Sequence, residues 1–420
     1  MNGRVILDFP PLAAKTPAAG TGCKRQADAI QLRAALPKER IHFALYLKHF
    51  PANGEPIRGG TATAVAGLAA GLAENGAQVT VLCEGRDRAS SAGPGYAVER
   101  FVNRGPHRSF SLGSGLRSYI AEHLAPRRTL CLVNGMFHPS VYAVGRWLRR
   151  CGVPYVVAPH DPYNDALFSR NAHLKWPYWY LFERRLLGRA SAIQVLDPMH
   201  AVTLRHLGVD TPVIAISNGV ARDSVPAESE LRWRAWNEPA HLAFLGRIDA
   251  YNKGLDILLE AFSRVSARAE IRLTMQGPDS GDRARLEKLA AKRMLGDRVR
   301  FCGPDYHRSS YQFVSDHDVF CLPSRYEGFG LAALEAMLSG RVLLVSERAG
   351  IARHVWASGC GEIVAPTVAG VEQGLLCLLQ RRAQWREMGM RGRRYALANL
   401  EWKRIAATAL EQYEQLMNVS

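Results

Sequence analysis

Cysteine is sparse and unpatterned in this chain: eight residues in 420, with no Cys-x-x-Cys among them. That scatter gives neither a disulfide framework nor a thiolate zinc site a basis. Cys83, Cys131 and Cys321 sit inside apolar, strand-like runs, where a thiol packs as a small hydrophobe, and a reducing compartment fits. Long hydrophobic runs are missing too. None approaches the roughly 18 residues that a transmembrane helix needs. The early run Val5-Ile-Leu-Asp8-Phe is too short and interrupted for a secretory signal, so the expected location is the cytoplasm. There is no helix-turn-helix, zinc-finger or RNA-binding signature, and nucleic acid is not an expected partner.

Acidic residues are also in deficit. Against 54 Lys and Arg stand 38 Asp and Glu, a net charge of +16. Such a field suits an anionic membrane surface or a phosphorylated substrate, although arginine-rich surfaces also occur without a partner. Three stretches place Arg beside Trp, Leu or Tyr, as an interfacial helix does: Arg146 to Arg150, Glu183-Arg184-Arg185, and Arg391 to Arg394. Peripheral attachment to the inner membrane face is the corresponding expectation.

What is present is ordinary globular composition, 47% apolar and 22% charged, at a length that suits two or three domains. Residues 1–39, rich in Ala, Pro, Gly and Thr, lack periodicity and read as an N-terminal extension. From Arg40 strands and helices alternate. The expected strands are Ile41–Leu47, Val79–Cys83, Leu130–Val133, Tyr155–Ala158, Ala192–Leu196 and Pro212–Ile216, with an amphipathic helix over Thr61–Glu74. After the polar, proline-containing segment Asn218–Pro239 a second series begins, at Ala243–Leu245, Ile271–Met275, Val299–Cys302, Val319–Leu322 and Val342–Ser346. Strands alternating with helices indicate an α/β fold with doubly wound, mostly parallel sheets, here two with a crevice between them.

Two motifs carry chemistry. In the first, Tyr326-Glu-Gly-Phe-Gly-Leu-Ala-Ala-Leu-Glu335, a buried strand leads through a glycine turn into a run of helix formers, Leu331 to Leu338. Strand, turn and helix set a ligand at the carboxyl end of a parallel sheet, against the positive end of a helix. Glu327 falls at the mouth of that crevice and Glu335 on the helix wall. In the second, Gly246-Arg247-Ile-Asp-Ala-Tyr-Asn-Lys253-Gly254, two cations lie between a short strand and the helical run Leu255–Phe262. Arg forks onto two oxygens and Lys adds a mobile charge, a plausible diphosphate clamp.

Gly246-Arg247 with Lys253-Gly254, followed by Glu327 through Glu335, resembles the donor-site signature of the retaining glycosyltransferases of family 4, which have the two-domain GT-B fold. Further matches run in order: Arg58-Gly59-Gly60, Ala158-Pro159-His160, Ile216-Ser-Asn218-Gly219-Val220, Gln276-Gly277-Pro278, and the terminal helix with Trp402 and Tyr413. The resemblance covers roughly residues 40–416. It implies an acceptor-binding Rossmann-like domain over 40–217 and a donor-binding one over 218–395. A C-terminal helix within 396–420 should cross back to the first domain.

The same resemblance implies roles. Arg247 and Lys253 hold the diphosphate of a nucleotide sugar, Glu335 takes its ribose hydroxyls, and Glu327 orients the transferred sugar. His160 positions that sugar from the other domain. The amides around Gly328, Phe329, Gly330 and Leu331 cradle oxygens, and Gly59, Gly60, Gly246 and Gly277 line the donor site. The residue after His160 departs from the family's common glycine: it is Asp161. No cofactor is expected beyond the nucleotide sugar, and no metal; Asp316 and Asp318 have the Asp-x-Asp spacing but frame a strand entry. The expected acceptor is a saccharide or lipid-linked saccharide, in polysaccharide, lipopolysaccharide or glycolipid synthesis. A sugar-nucleotide epimerase, a phosphorylase or a non-catalytic carbohydrate-binding relative are the alternatives on this architecture.

Overall fold

The computed structural model describes residues 40–52, 54–105, 109–234 and 238–419, so the extension expected over 1–39 lies outside it. The first sheet has eight strands: β1 (His42–Tyr46), β2 (Gln78–Gly85), β3 (Ala89–Gly93), β4 (Tyr96–Val102), β5 (Thr129–Asn134), β6 (Tyr155–Ala158), β7 (Ala192–Val195) and β8 (Val213–Ala215). Their spatial order is β3-β4-β2-β1-β5-β6-β7-β8. The second sheet comprises β9 (Ala240–Leu245), β10 (Ile271–Gln276), β11 (Val299–Cys302), β12 (Val319–Leu322), β13 (Val342–Ser346) and β14 (Gly361–Val364), ordered β11-β10-β9-β12-β13-β14.

All pairings are parallel except the β3-β4 hairpin. Helices cover both faces, so central strands such as Val156-Val157 and Leu343-Leu344 are apolar on both sides and fully buried. The two doubly wound sheets match the sequence expectation; the hairpin and β14 do not appear in it. The sequence Ala89-Ser-Ser-Ala-Gly93 carries no apolar run to mark a strand, and is held by pairing to the alternating Tyr96–Val102.

In each sheet the winding reverses beside the first strand, between β1 and β5 and between β9 and β12. Loops at the carboxyl ends of these strands diverge there and leave a crevice. Gly59 and Gly60 follow β1, Gly246 to Lys253 follow β9 and Glu327 to Gly330 follow β12, while His160 follows β6, Gly277 follows β10 and Glu335 lies inside the helix Leu331–Leu338.

The helix Trp402–Val419 leaves the second half and docks on the first. Its Trp402 indole lies on Gly67 of the helix Gly60–Glu74, where a Cβ would come within 2.0 Å of Nε1. Tyr413 is buried against Phe43 at 5.6 Å between ring centroids, with its hydroxyl on Gln194. The two chain segments that cross between the halves pair with each other: Val220 N–H donates to the Leu400 carbonyl (2.9 Å) and Trp402 N–H to the Val220 carbonyl (3.0 Å).

Replacing the buried Trp402 by Ala is expected to cost about 3–5 kcal/mol of stability. Gly67→Leu, which drives a side chain into the indole, should act in the same direction; chemical denaturation of both variants checks this.

Candidate active site

The loops after β9 and β12 are stitched together before any ligand arrives. Asp249, 3% exposed, accepts the Asn252 backbone N–H (3.0 Å) and its side-chain amide (2.8 Å), which folds the segment back on itself. Arg325 forks onto Asp256 at 2.8 and 2.9 Å and donates to the Tyr251 carbonyl at 3.0 Å. Its own backbone N–H bonds to the Asn252 carbonyl at 3.0 Å. Bidentate pairs of this kind fix geometry as well as contributing energy. The product is one contact: Lys253 Nζ stands 2.5 Å from Glu327 Oε2, both side chains largely shielded.

Arg247 is exposed in the same loop and makes no ion pair among the described residues. It lies close enough to Tyr326 to act on it. Burial and the neighbouring Asp161 carboxylate push that phenol well up, and the Arg247 charge opposes them.

Beyond Glu327 the chain pairs briefly with Ala349, and buried Phe329 gives its carbonyl to the Ile351 N–H at 2.9 Å. Gly330, at φ 103°, caps the helix Leu331–Leu338, whose first amides have no intrahelical acceptor and present the positive end of the dipole. One turn along, the half-buried Glu335 lies beside Ser310. Burial pushes its carboxyl up to about 7, with the Ser310 hydroxyl acting the other way. Gly246 and Gly277 meet at the ends of β9 and β10, Gly246 N–H donating to the Gln276 carbonyl at 3.0 Å.

From the first domain comes His160, in the left-handed region at φ 68°. Its Nε2 lies 2.8 Å from Asn134 Oδ1. The Asn134 amide nitrogen donates to the carbonyls of Tyr46 and Leu132, both at 3.1 Å, so Oδ1 is the acceptor and His160 carries its proton on Nε2. Nδ1 is then an acceptor, and burial holds the imidazole down at about 4, neutral near pH 7.

Asp161 Oδ1 accepts the Gly328 N–H at 3.2 Å across the crevice, and Arg170 reaches Asp249 at 3.0 Å. Gly60, following Gly59, lies against Leu331, and the Arg58 guanidinium stacks 4.5 Å over the Tyr306 ring. His160, Lys253, Glu327 and the Gly328 turn therefore share one crevice. Arg247 stands beside Tyr326 at its rim, and Glu335 lies further along the helix after the Gly328 turn, next to Ser310 and Tyr311.

Several functional partners carry no sequence signal of their own. Asn134 is marked only as a polar residue ending a buried strand, and Asp249 and Ser310 not at all. Tyr326, whose phenol lies beside Asp161, is flagged only by adjoining Glu327. Two of the expected interfacial stretches each contain one buried charged residue. Arg393 is buried, donating to the Leu338 and Pro226 carbonyls, while Arg391 pairs with Glu387 and Arg394 is exposed. Glu183 is fully buried, accepting from Phe137 N–H (3.0 Å) and the Tyr163 hydroxyl (2.6 Å). Asp316 pairs with Arg308, and Asp318 accepts the His241 N–H at 2.8 Å. A cavity of about 970 Å³, lined by Arg232, Arg272, Arg300 and Tyr311 among others, opens on the second domain and includes none of the predicted site residues.

Comparison with known proteins bears on the family and the fold. The family description Glycosyl transferases group 1 matches residues 231–394, and Glycosyl transferase 4-like domain matches residues 59–219. The chain is 26% identical over 301 residues to the MMP alpha-(1->4)-mannosyltransferase of Mycolicibacterium hassiacum, covering 64% of this chain and 67% of that protein. It is 26% identical over 368 residues to the phosphatidyl-myo-inositol mannosyltransferase of Mycobacterium leprae, covering 85% and 93%. Across the first curated relatives the match spans 52% to 67% of their length. Among solved structures, sucrose-phosphate synthase from Thermosynechococcus elongatus superposes with a TM-score of 0.71 at 22% identity, over 91% of this chain and 100% of that one.

Arg325→Ala should free the loop that carries Lys253. Hydrogen exchange is expected to quicken at Asn252 and Lys253 while β10 and β13 keep their protection; unchanged exchange in the loop would remove Arg325 from this role.

Proposed function

The chain belongs to the glycosyl transferases group 1 family and has its two-domain GT-B fold, and from that premise we propose that it is a retaining hexosyltransferase. The donor is a nucleotide diphosphate sugar and the acceptor a hydroxyl of a saccharide or lipid-linked saccharide. The observation that carries this reading is the shielded Lys253–Glu327 pair at the strand ends, faced across the crevice by His160.

In this reading Lys253 and Arg247 receive the diphosphate and neutralise its growing charge as the bond from the anomeric carbon to phosphate oxygen breaks. The first amides of the helix Leu331–Leu338 add their dipoles. Glu335 accepts from the ribose hydroxyls, Glu327 from the transferred sugar, and His160 Nδ1 from a sugar hydroxyl on the opposite side. The acceptor oxygen bonds to the anomeric carbon on the face the phosphate leaves, and its proton passes to the departing phosphate oxygen. With cations already on the diphosphate, the reaction as proposed needs no divalent metal, and transfer should persist in a chelator.

A lipid-linked acceptor is supported by the segment 172–187, where Leu174, Tyr180 and Leu181 are 63%, 58% and 50% exposed beside Lys175, Arg184 and Arg185. Apolar and aromatic side chains set among cations suit the interface of an anionic bilayer. Flotation with phosphatidylglycerol vesicles should exceed that with neutral vesicles and fall in the Leu174→Glu, Leu181→Glu double variant; equal flotation on both lipids would dismiss this surface.

Lys253→Ala is expected to lower turnover roughly 100- to 1,000-fold, as loss of a preorganised charge stabiliser does. Removing the Glu335 carboxylate forfeits a charge-assisted bond of about 1.5–3 kcal/mol, so Glu335→Gln should weaken donor binding about 10- to 100-fold. Because the ionised Glu335 is the better acceptor and its carboxyl stands at about 7, donor affinity should rise from pH 6 to pH 8. Proton release on binding, read by calorimetry in two buffers, should vanish in Glu335→Gln. Transfer assays with UDP-, GDP- and ADP-hexoses, with and without an acceptor saccharide, separate this reading from an epimerase, which converts its donor unaided.

A further inference from the structure

Asp161 is a carboxylate that the reaction above does not use, and it is set into the crevice. Its Oδ1 accepts the Gly328 N–H at 3.2 Å, and the Tyr326 phenol, whose hydroxyl points to Met136 Sδ at 3.8 Å, lies close enough to feel its charge. The approach of the two loops is close. A Cβ on Gly328 would lie 2.0 Å from the His160 carbonyl oxygen and 2.9 Å from Asp161 Oδ1. Asp161 thus touches the amide next to Glu327, the residue to which the proposed function gives the transferred sugar.

The charges facing this spot come from three elements. On its own loop His160 is neutral and committed to Asn134. From the loop after β12, Glu327 repels the Asp161 charge; from the loop after β9, Lys253 attracts it. The other cations nearby are spoken for, Arg170 by Asp249 and Arg325 by Asp256. Once a diphosphate engages Lys253 and Arg247, the sugar subsite is bounded by two carboxylates and a peptide amide, and neither Arg170 nor Arg325 is free to pair a further anion there.

We infer that Asp161 is a specificity-determining residue: with Glu327 it restricts the donor to neutral or amino-substituted sugars and shuts out hexuronates. The inference rests on the donor-site reading given above. Hydroxyl and ammonium groups donate to carboxylates, whereas a uronate carboxylate would be placed beside two like charges, a repulsive element of the kind that sets specificity. Burial, joined by the Glu327 charge, pushes the Asp161 carboxyl up to about 6. The exclusion should therefore be strongest well above that pH and fade below it, while the uronate itself stays ionised.

The test uses the full chain with two matched donor pairs, UDP-glucose with UDP-glucuronate and GDP-mannose with GDP-mannuronate, and reads kcat/KM for donor consumption. In one pair at pH 8 the neutral donor should exceed its uronate at least 100-fold. That ratio should shrink at least tenfold in Asp161→Asn, in Asp161→Gly, and in the unaltered protein at pH 5.5. A protein that consumes both members of a pair within threefold, or variants that lose activity with the ratio intact, would overturn the inference while leaving the transferase reading standing. Failure to bind or consume any of the four donors would remove the donor-site reading, and the inference with it.

Discussion

Lys253 and Glu327, 2.5 Å apart on two loops of one domain, are the interaction from which the rest of the site follows. Two largely shielded opposite charges are tolerable only together, since removing either leaves the other desolvated and unpaired. Their pairing is not left to chance encounter. Asp249 shapes one loop, and Arg325 ties it to the other through Asp256 and two backbone carbonyls. The protein therefore holds a cation and an acid in register, largely shielded from solvent. An incoming diphosphate has only to compete with a carboxylate for the lysine.

The architecture explains why such a pair can sit where it does. Parallel strands deliver their carboxyl ends to one side, and the winding reversal beside β1 and β9 opens a gap among the loops. The first domain contributes fewer charges there than shapes: a left-handed histidine, a neutral imidazole with a defined tautomer, and a peptide that meets the Gly328 turn. Charge is concentrated in the second domain. The first supplies the wall against which a substrate is oriented, and through Asp161 a further acid.

Legibility in the sequence followed the range of the forces involved. Buried parallel strands announce themselves as apolar runs, and the strand-turn-helix around Glu327 and the cations before Leu255 are local patterns, so the fold and the principal residues could be read directly. The partners that hold them could not. Arg325 and Asp256 are 69 residues apart, and Asn134 and His160 are 26 apart on neighbouring strands. Nothing in spacing or composition links such pairs before the chain is folded. The same limit applies to Arg393: an arginine in a basic run looks solvated until Leu338 and Pro226 are seen to offer it their carbonyls. The hairpin strand Ala89–Gly93 has small residues and depends on its partner for definition.

The paired crossings at Val220 and Leu400 carry a mechanical consequence. The chain passes between its halves twice, and the backbone bonds at 2.9 and 3.0 Å clamp both passages to one spot, with the Trp402 indole wedged beside them. Two independent tethers would allow the halves to slide and twist. Tethers fused at a point leave rotation about that point as the cheap motion, so the structure works like tongs joined by a single rivet. Any gape at the far rim is then a lever-arm multiple of a few degrees of backbone torsion at Val220, Leu400 and Glu401.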